Sequence, residues 1–402
     1  MKFSLIIALC ALTTIQIFAQ KQTGTAKTLN KEHIEKHTYH FNINNGDFEN
    51  ADVLLKALSE AHFVTLGELH NRTQLGTLTT ALLRQLHDVG FEHMALEVGP
   101  YSAQKLNQLA KNGMAEVTQF YKTNASKLFG YYPIPFFIGQ TDLQFLEEAN
   151  SLGYQFWGID QEFRYSFKYL INELDAFSKD SGSSEQQRIS RKLKTKLNGW
   201  FRRAKIFRSF DMSCRLKEDA TFQSYLKSFE ETNDPDVITI IEAIHATLDI
   251  YCLAEQGKAS SRQRIAYFKQ NFNQQYKATD EAKVFLKIGS IHGGREKSPF
   301  GLYDIGHHIS ELADAMNKKS VHIRYLNRFY EGKDMIGKKG WSSRQIFMEV
   351  GQRDQWALID LRTLRQQMQK NQFKGSTTEE LEIMNYDFIL IAPDDDKVKK
   401  HY

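Results

Sequence analysis

The sequence predicts an α/β protein: a three-layer αβα domain with a mostly parallel sheet and a helical cap inserted between its two halves. Three observations carry this. Short apolar runs alternate with amphipathic helical stretches, the pattern of parallel strands joined by crossover helices. Three successive runs each end on a carboxylate, Glu68, Glu97 and Asp160, at the strand ends where open α/β sheets hold ligands. Residues 164–280 contain no strand-like run, and there helical spacing dominates, as in Val237, Ile240, Ile241, Ile244 and Leu248.

The 402 residues, 25% charged and 41% hydrophobic, describe an ordinary globular chain with a sizeable core. A net charge of +4 gives no reason to expect a nucleic-acid partner. Residues 1–19 read as a signal peptide: Lys2, an apolar run to Phe18, then Ala19-Gln20-Lys21. The expected location is therefore secreted or periplasmic, with no stable membrane span after cleavage. Cys10 is followed by more apolar residues, which argues against a lipoprotein site. Cys214 and Cys252 remain, and sequence leaves open whether they pair.

Residues 20–50 read as a polar leader, with His33 and His37 as solvated residues. The α/β domain is expected to be discontinuous, 51–163 and 281–396. A helix from Asp52 to Ser59 leads into the strand Phe63–Leu66 and the turn Gly67-Glu68-Leu69-His70-Asn71-Arg72. Leu75, Leu78, Leu82, Leu86 and Val89 mark one face of the next helix, and Gly90 ends it. Strand His93–Leu96 delivers Glu97. Helix Leu143–Leu152 and strand Tyr154–Ile159 deliver Asp160. After the insertion come strand Val284–Ile288, with the turn Gly289-Ser290-Ile291-His292-Gly293-Gly294-Arg295, and strands at 320–325, 355–360 and 387–392. From Arg188 to Arg208 the charges are all basic; this is expected to be the solvated face of a helical insertion.

If the strands are parallel, Glu68, His70, Glu97 and His292 share one sheet edge and form the candidate catalytic set. Arg72, Asp160 and Arg295 are the candidate substrate-binding residues. Histidine titrates near neutral pH, and a neighbouring carboxylate fixes its tautomer and raises its basicity. Two histidines and two glutamates also suit a divalent metal, so spacing leaves metal dependence open. There is no Gly-x-Ser-x-Gly elbow, no Walker loop and no Gly-x-Gly-x-x-Gly, which disfavours serine hydrolases and nucleotide cofactors.

Leu66-Gly67-Glu68-Leu69-His70, the helix after it and Met94-Ala95-Leu96-Glu97 resemble the opening of the erythromycin-esterase-like and ChaN-like superfamily. Phe156-Trp157-Gly158-Ile159-Asp160 is similar to its next strand. Ile288-Gly289-Ser290-Ile291-His292-Gly293, with Tyr303-Asp304-Ile305-Gly306, resembles its distal histidine motif. Leu358-Ile359-Asp360-Leu361-Arg362 and Tyr386-Asp387-Phe388-Ile389 resemble the esterase branch's closing strands. The resemblance implies a small-molecule substrate and a hydrolase in which His70, oriented by Glu68 or Glu97, activates water against an ester, with His292 as acid or oxyanion donor. That reading requires no cofactor. The esterase branch spaces its first pair Gly-Glu-x-x-His, and here the spacing is one residue shorter. The shorter form is similar to the haem-binding branch, which implies the alternative of a haem- or metal-binding envelope protein without turnover.

Overall fold

The structure is a computed structural model that describes residues 26–402 apart from 127, 178–183, 208–209 and 230. The signal-peptide reading lies outside the described residues. Nine strands form one sheet: β1 (Thr38–Asn44), β2 (Asp47–Glu49), β3 (Phe63–Glu68), β4 (Phe91–Leu96), β5 (Gln155–Gly158), β6 (Lys283–Gly289), β7 (Ser320–Asn327), β8 (Trp356–Asp360) and β9 (Phe388–Ala392). Their order is β2-β1-β8-β9-β7-β3-β6-β4-β5. The six strands from β9 to β5 are mutually parallel, and β8, β1 and β2 continue the sheet antiparallel.

Alternation of side chains along each strand sorts the core into layers. On one face Val64, Leu66, Met94 and Leu96 pack with Leu75, Leu78 and Leu82 of helix α1 (Thr73–His87) and Phe145 of helix α2 (Gln140–Ser151). On the other, Phe63, Ala95, Trp157, Leu286 and Ile288 pack with Phe268 and Phe272 of helix α3 (Ser260–Lys277) and Ile309 of helix α4 (Ile305–Ala315). Helices on both faces make the α/β fold. The free edge of β5 is covered by amides: Asn107 exchanges two hydrogen bonds with the Phe156 backbone, and Gln275 donates to the Gly158 carbonyl. This satisfies an edge that would otherwise recruit another strand.

Residues 26–50 are not a leader. β1 pairs with β8 and forms a hairpin with β2, and Phe41 is 1% exposed within the main core. The hairpin looks polar in sequence because it closes the sheet's edge and keeps one face in water.

The described residues between 164 and 280 hold six helices and no strand. The last of them, α3, lies against the sheet itself rather than above its edge. Pro235–Glu255 is the one helix among the described residues long and apolar enough to cross a membrane, yet Val237, Ile240, Ile244 and Leu248 are buried in the main core. Cys214 and Cys252 are joined, tying the Met212–Glu218 helix to Pro235–Glu255 across a separation of 38 residues. From loop-closure entropy alone, reduction is expected to cost about 3–4 kcal/mol. Urea unfolding with and without reductant measures this, and an unchanged midpoint after full reduction would rule it out.

Candidate functional site

The carboxyl ends of β3, β4 and β6 meet, as adjacent parallel strands must. Glu68 is the last residue of β3 and 3% exposed. The chain turns at Asn71, whose φ of 61° lies in the left-handed region that asparagine tolerates. This brings His70 back so that its Nδ1 lies 2.8 Å from Glu68 Oε1. A carboxylate accepts only, so Nδ1 carries the proton and Nε2 keeps its lone pair. Lys287, an ammonium within the apolar run of β6, pairs with the other Glu68 oxygen. Burial pushes the Glu68 carboxyl up, but the Lys287 charge and the His70 hydrogen bond outweigh it and hold the group at about 2. Glu68 is therefore ionised throughout the neutral range.

His70 Nε2 lies 3.9 Å from Glu97 Oε2, and a third of the imidazole side chain (34%) is exposed. Burial opposes its charged form, while the Glu68 hydrogen bond and the Glu68 and Glu97 charges favour it more, leaving the pKa raised. Phe136 stacks on the ring with centroids 3.9 Å apart. Phe136 itself has φ 65°, a conformation that costs a bulky residue of order 1–3 kcal/mol and persists where surrounding contacts enforce it. Gly289 is required here, because a Cβ at that position would lie 2.9 Å from Glu97 Oε2 and 3.3 Å from His70 Nε2.

Glu97 is held from two sides: the Gly289 amide donates to Oε2 at 2.6 Å and Arg264 Nη2 to Oε1 at 2.7 Å. Arg264 belongs to α3, within the insertion, and the sequence reading passed over it. Its guanidinium also donates to both oxygens of Asp160, at 3.0 and 2.5 Å. Burial opposes its charge, but Asp160 and Glu97 raise its pKa well above the ordinary value, so it remains a cation. Its Nη1 lies 3.4 Å from His292 Nε2, while His292 Nδ1 lies 2.8 Å from Asp304 Oδ2. His292 therefore donates to Asp304 and accepts from Arg264. The sequence signals for the missed residues were a lysine inside a buried strand and an arginine on the helix before it.

Glu68, His70, Glu97 and His292 are thus brought together through Lys287 and Arg264, but His292 is only 3% exposed and faces Arg264. It positions the guanidinium. The three candidate substrate-binding residues are placed elsewhere or otherwise engaged. Arg72 lies over the Tyr330 ring, 3.6 Å from its centroid. Asp160 is buried and taken up by Arg264. Arg295 reaches back to the amino ends of β7 and β9, bonding Ser320 and Asp387. The reason in the last case is charge compensation: Asp387 is 4% exposed and needs Arg295 and Arg365 beside it.

Glu68, His70 and Glu97 offer ligand atoms all within 4.8 Å of one another. However, His70 and Lys287 occupy the two Glu68 oxygens, and the Gly289 amide and Arg264 the two Glu97 oxygens, leaving His70 Nε2 as the one ligand atom of the three residues without a hydrogen bond. Catalytic zinc sites use three protein ligands, so this donor set falls short of one.

No known protein family description matches the sequence, and no curated protein does. Solved structures do share the fold. A Bacillus cereus protein is 14% identical, over 92% of this chain and 98% of its own, at a TM-score of 0.53. A succinoglycan biosynthesis protein is 15% identical over 92% and 97%, also at 0.53. An erythromycin esterase mutant in its open conformation is 15% identical over 87% and 94%, again at 0.53. At these identities the likeness establishes a common fold.

Proposed function

We propose that the chain is a hydrolase in which His70 activates water against an ester or related carbonyl. The observation that carries this reading is the Glu68–His70 hydrogen bond, which leaves a basic Nε2 on a partly exposed ring, 3.9 Å from Glu97 Oε2. At ordinary hydrogen-bond lengths of about 2.8 Å one water can donate to both atoms. Nε2 takes the water's proton as the oxygen attacks, Glu68 stabilises the imidazolium that forms, and as the tetrahedral adduct collapses and the ester C–O bond breaks that imidazolium returns the proton to the leaving alcohol. Arg264, fixed by Glu97, Asp160 and His292, supplies a positive charge beside Glu97 for the developing oxyanion. No covalent intermediate is needed. The solved erythromycin esterase that shares the fold is consistent with this chemistry. The apolar amino terminus and the Cys214–Cys252 disulfide support an exported protein.

Only neutral His70 can act as the base. Because its pKa is raised, kcat/KM is expected to rise with pH through an apparent pKa above 6.5, histidine's ordinary value. Stability derived from the charged pairing follows the opposite sign: it is present below 6.5 and lost as pH rises through the raised pKa. Glu68→Gln removes the carboxylate charge and leaves at most a weaker, neutral hydrogen bond to Nδ1, so the acid limb should move to lower pH. Initial rates from pH 5 to 9 on a chromogenic ester panel test this. An acid limb that Glu68→Gln leaves in place would remove His70 from the base role.

A further inference from the structure

The geometry points to a second ligand site, a pocket for a protonated phosphate group, lined by Ser290 and Ile291 of the turn after β6 and by none of Glu68, His70 and Glu97. Its cavity is about 200 Å³ and is lined by Ser290, Lys297, Ser298, Arg324, Arg344 and Glu382, among others. Three cations face one carboxylate, so the lining carries a surplus of positive charge that suits a dianion.

The buried groups are incompletely satisfied. Arg324 stands in β7, beside Gly67 of β3, with 6% of its side chain exposed. Its Nη1 donates to the Ser290 carbonyl at 3.2 Å, and Tyr386 Oη lies 3.3 Å away. Its Nε has no hydrogen-bond partner, and neither has the Ser298 hydroxyl nor Glu382 Oε2. Arg324 Nε and Glu382 Oε2 face each other at 3.5 Å; Arg344 holds the other Glu382 oxygen at 2.5 Å. Buried polar atoms are satisfied in the great majority of cases, and here two donors and one acceptor left over belong to residues around one cavity.

That mixture selects among anions. A carboxylate such as Glu382 can only accept, so it repels a fully deprotonated oxyanion and favours one that retains a proton. Inorganic phosphate at neutral pH keeps a P–OH, which donates to Glu382, while its other oxygens accept from Arg324, Ser298 and the rim residue Lys297. Sulfate has the same shape and two negative charges but no proton to give. A volume of about 200 Å³ admits the phosphate group and little more, so a larger ligand would present a terminal phosphate here. None of the groups used belongs to the His70 centre.

Titration calorimetry of the intact protein with inorganic phosphate and with sulfate at pH 7.5 tests the proposal. Saturable phosphate binding is expected, tighter than sulfate by about 10- to 100-fold, the value of one hydrogen bond to a charged group. Glu382→Gln should erase that preference, since an amide can donate to either anion. Lys297→Ala, a change at an exposed rim position where folding is not at stake, should weaken phosphate binding. His70→Ala should leave it intact, which separates this site from the hydrolytic one. The proposal is overturned by an absence of saturable phosphate binding, by equal affinity for sulfate, or by phosphate binding indifferent to Lys297→Ala.

Discussion

His70→Ala is expected to reduce ester turnover by about 10²–10⁴-fold, the range for a lost general base. The loss should fall on kcat and kcat/KM together, because proton removal from water happens in the transition state rather than in substrate binding. The unfolding midpoint should move little. A third of the imidazole side chain is in solvent, and Glu68 keeps its pairing with Lys287 when the ring is gone. Added imidazole should restore part of the activity, since the Glu68 carboxylate and the exposed gap it faces both remain. The test is a steady-state comparison on whichever ester the wild type turns over. A wild type inert to a broad panel, with one equivalent of bound metal lost in His70→Ala, would replace the hydrolase reading with a metal-binding one.

Arg264→Met should be strongly destabilising. Glu97 and Asp160 have side chains 5% and 7% exposed, and the substitution strips both of their shared cation. Removing one partner of a buried pair costs about 3–5 kcal/mol, and the lower figure applies because a quarter of the Arg264 side chain is exposed (26%). The pH dependence has a definite sign. Burial already holds the Asp160 carboxyl above its ordinary value, and without the guanidinium the folded-state pKa of both carboxylates moves up, so the folded variant binds more protons than the folded wild type. The deficit therefore grows as pH rises. Urea unfolding at pH 5 and pH 8 reads this directly, with the larger loss expected at pH 8. Arg264→Lys should recover only part of the stability, because an ammonium cannot donate in two directions as a planar fork does. A methionine variant as stable as the wild type at pH 8 would show that Arg264 is not the compensating charge.

The α/β alternation was written in the chain because it depends on local periodicity. β3, β4, β6 and α1 are read from apolar runs and 3.6-residue spacing, and they end within a few residues of where the structure ends them. Glu68, His70 and Glu97 were legible for the same reason: parallel neighbouring strands put their carboxyl ends side by side, so strand ends alone predict which residues meet. The β1–β2 hairpin was not legible, because an edge element exposes one face and its pairing with β8, more than 300 residues away, leaves no local mark. Nor were the partners of the site. Arg264 reaches Glu97 and Asp160 only because α3 lies against the sheet, and Lys287 reaches Glu68 only because β6 pairs with β3 in one register. Arg295 follows the same logic in reverse: it stands two residues past the Ile291–Gly293 turn, yet its side chain runs back to Asp387, which is buried and must be neutralised. Sequence specifies which charges leave the strand ends. Burial, which only the assembled layers impose, decides which of those charges pair with each other and which is left facing water.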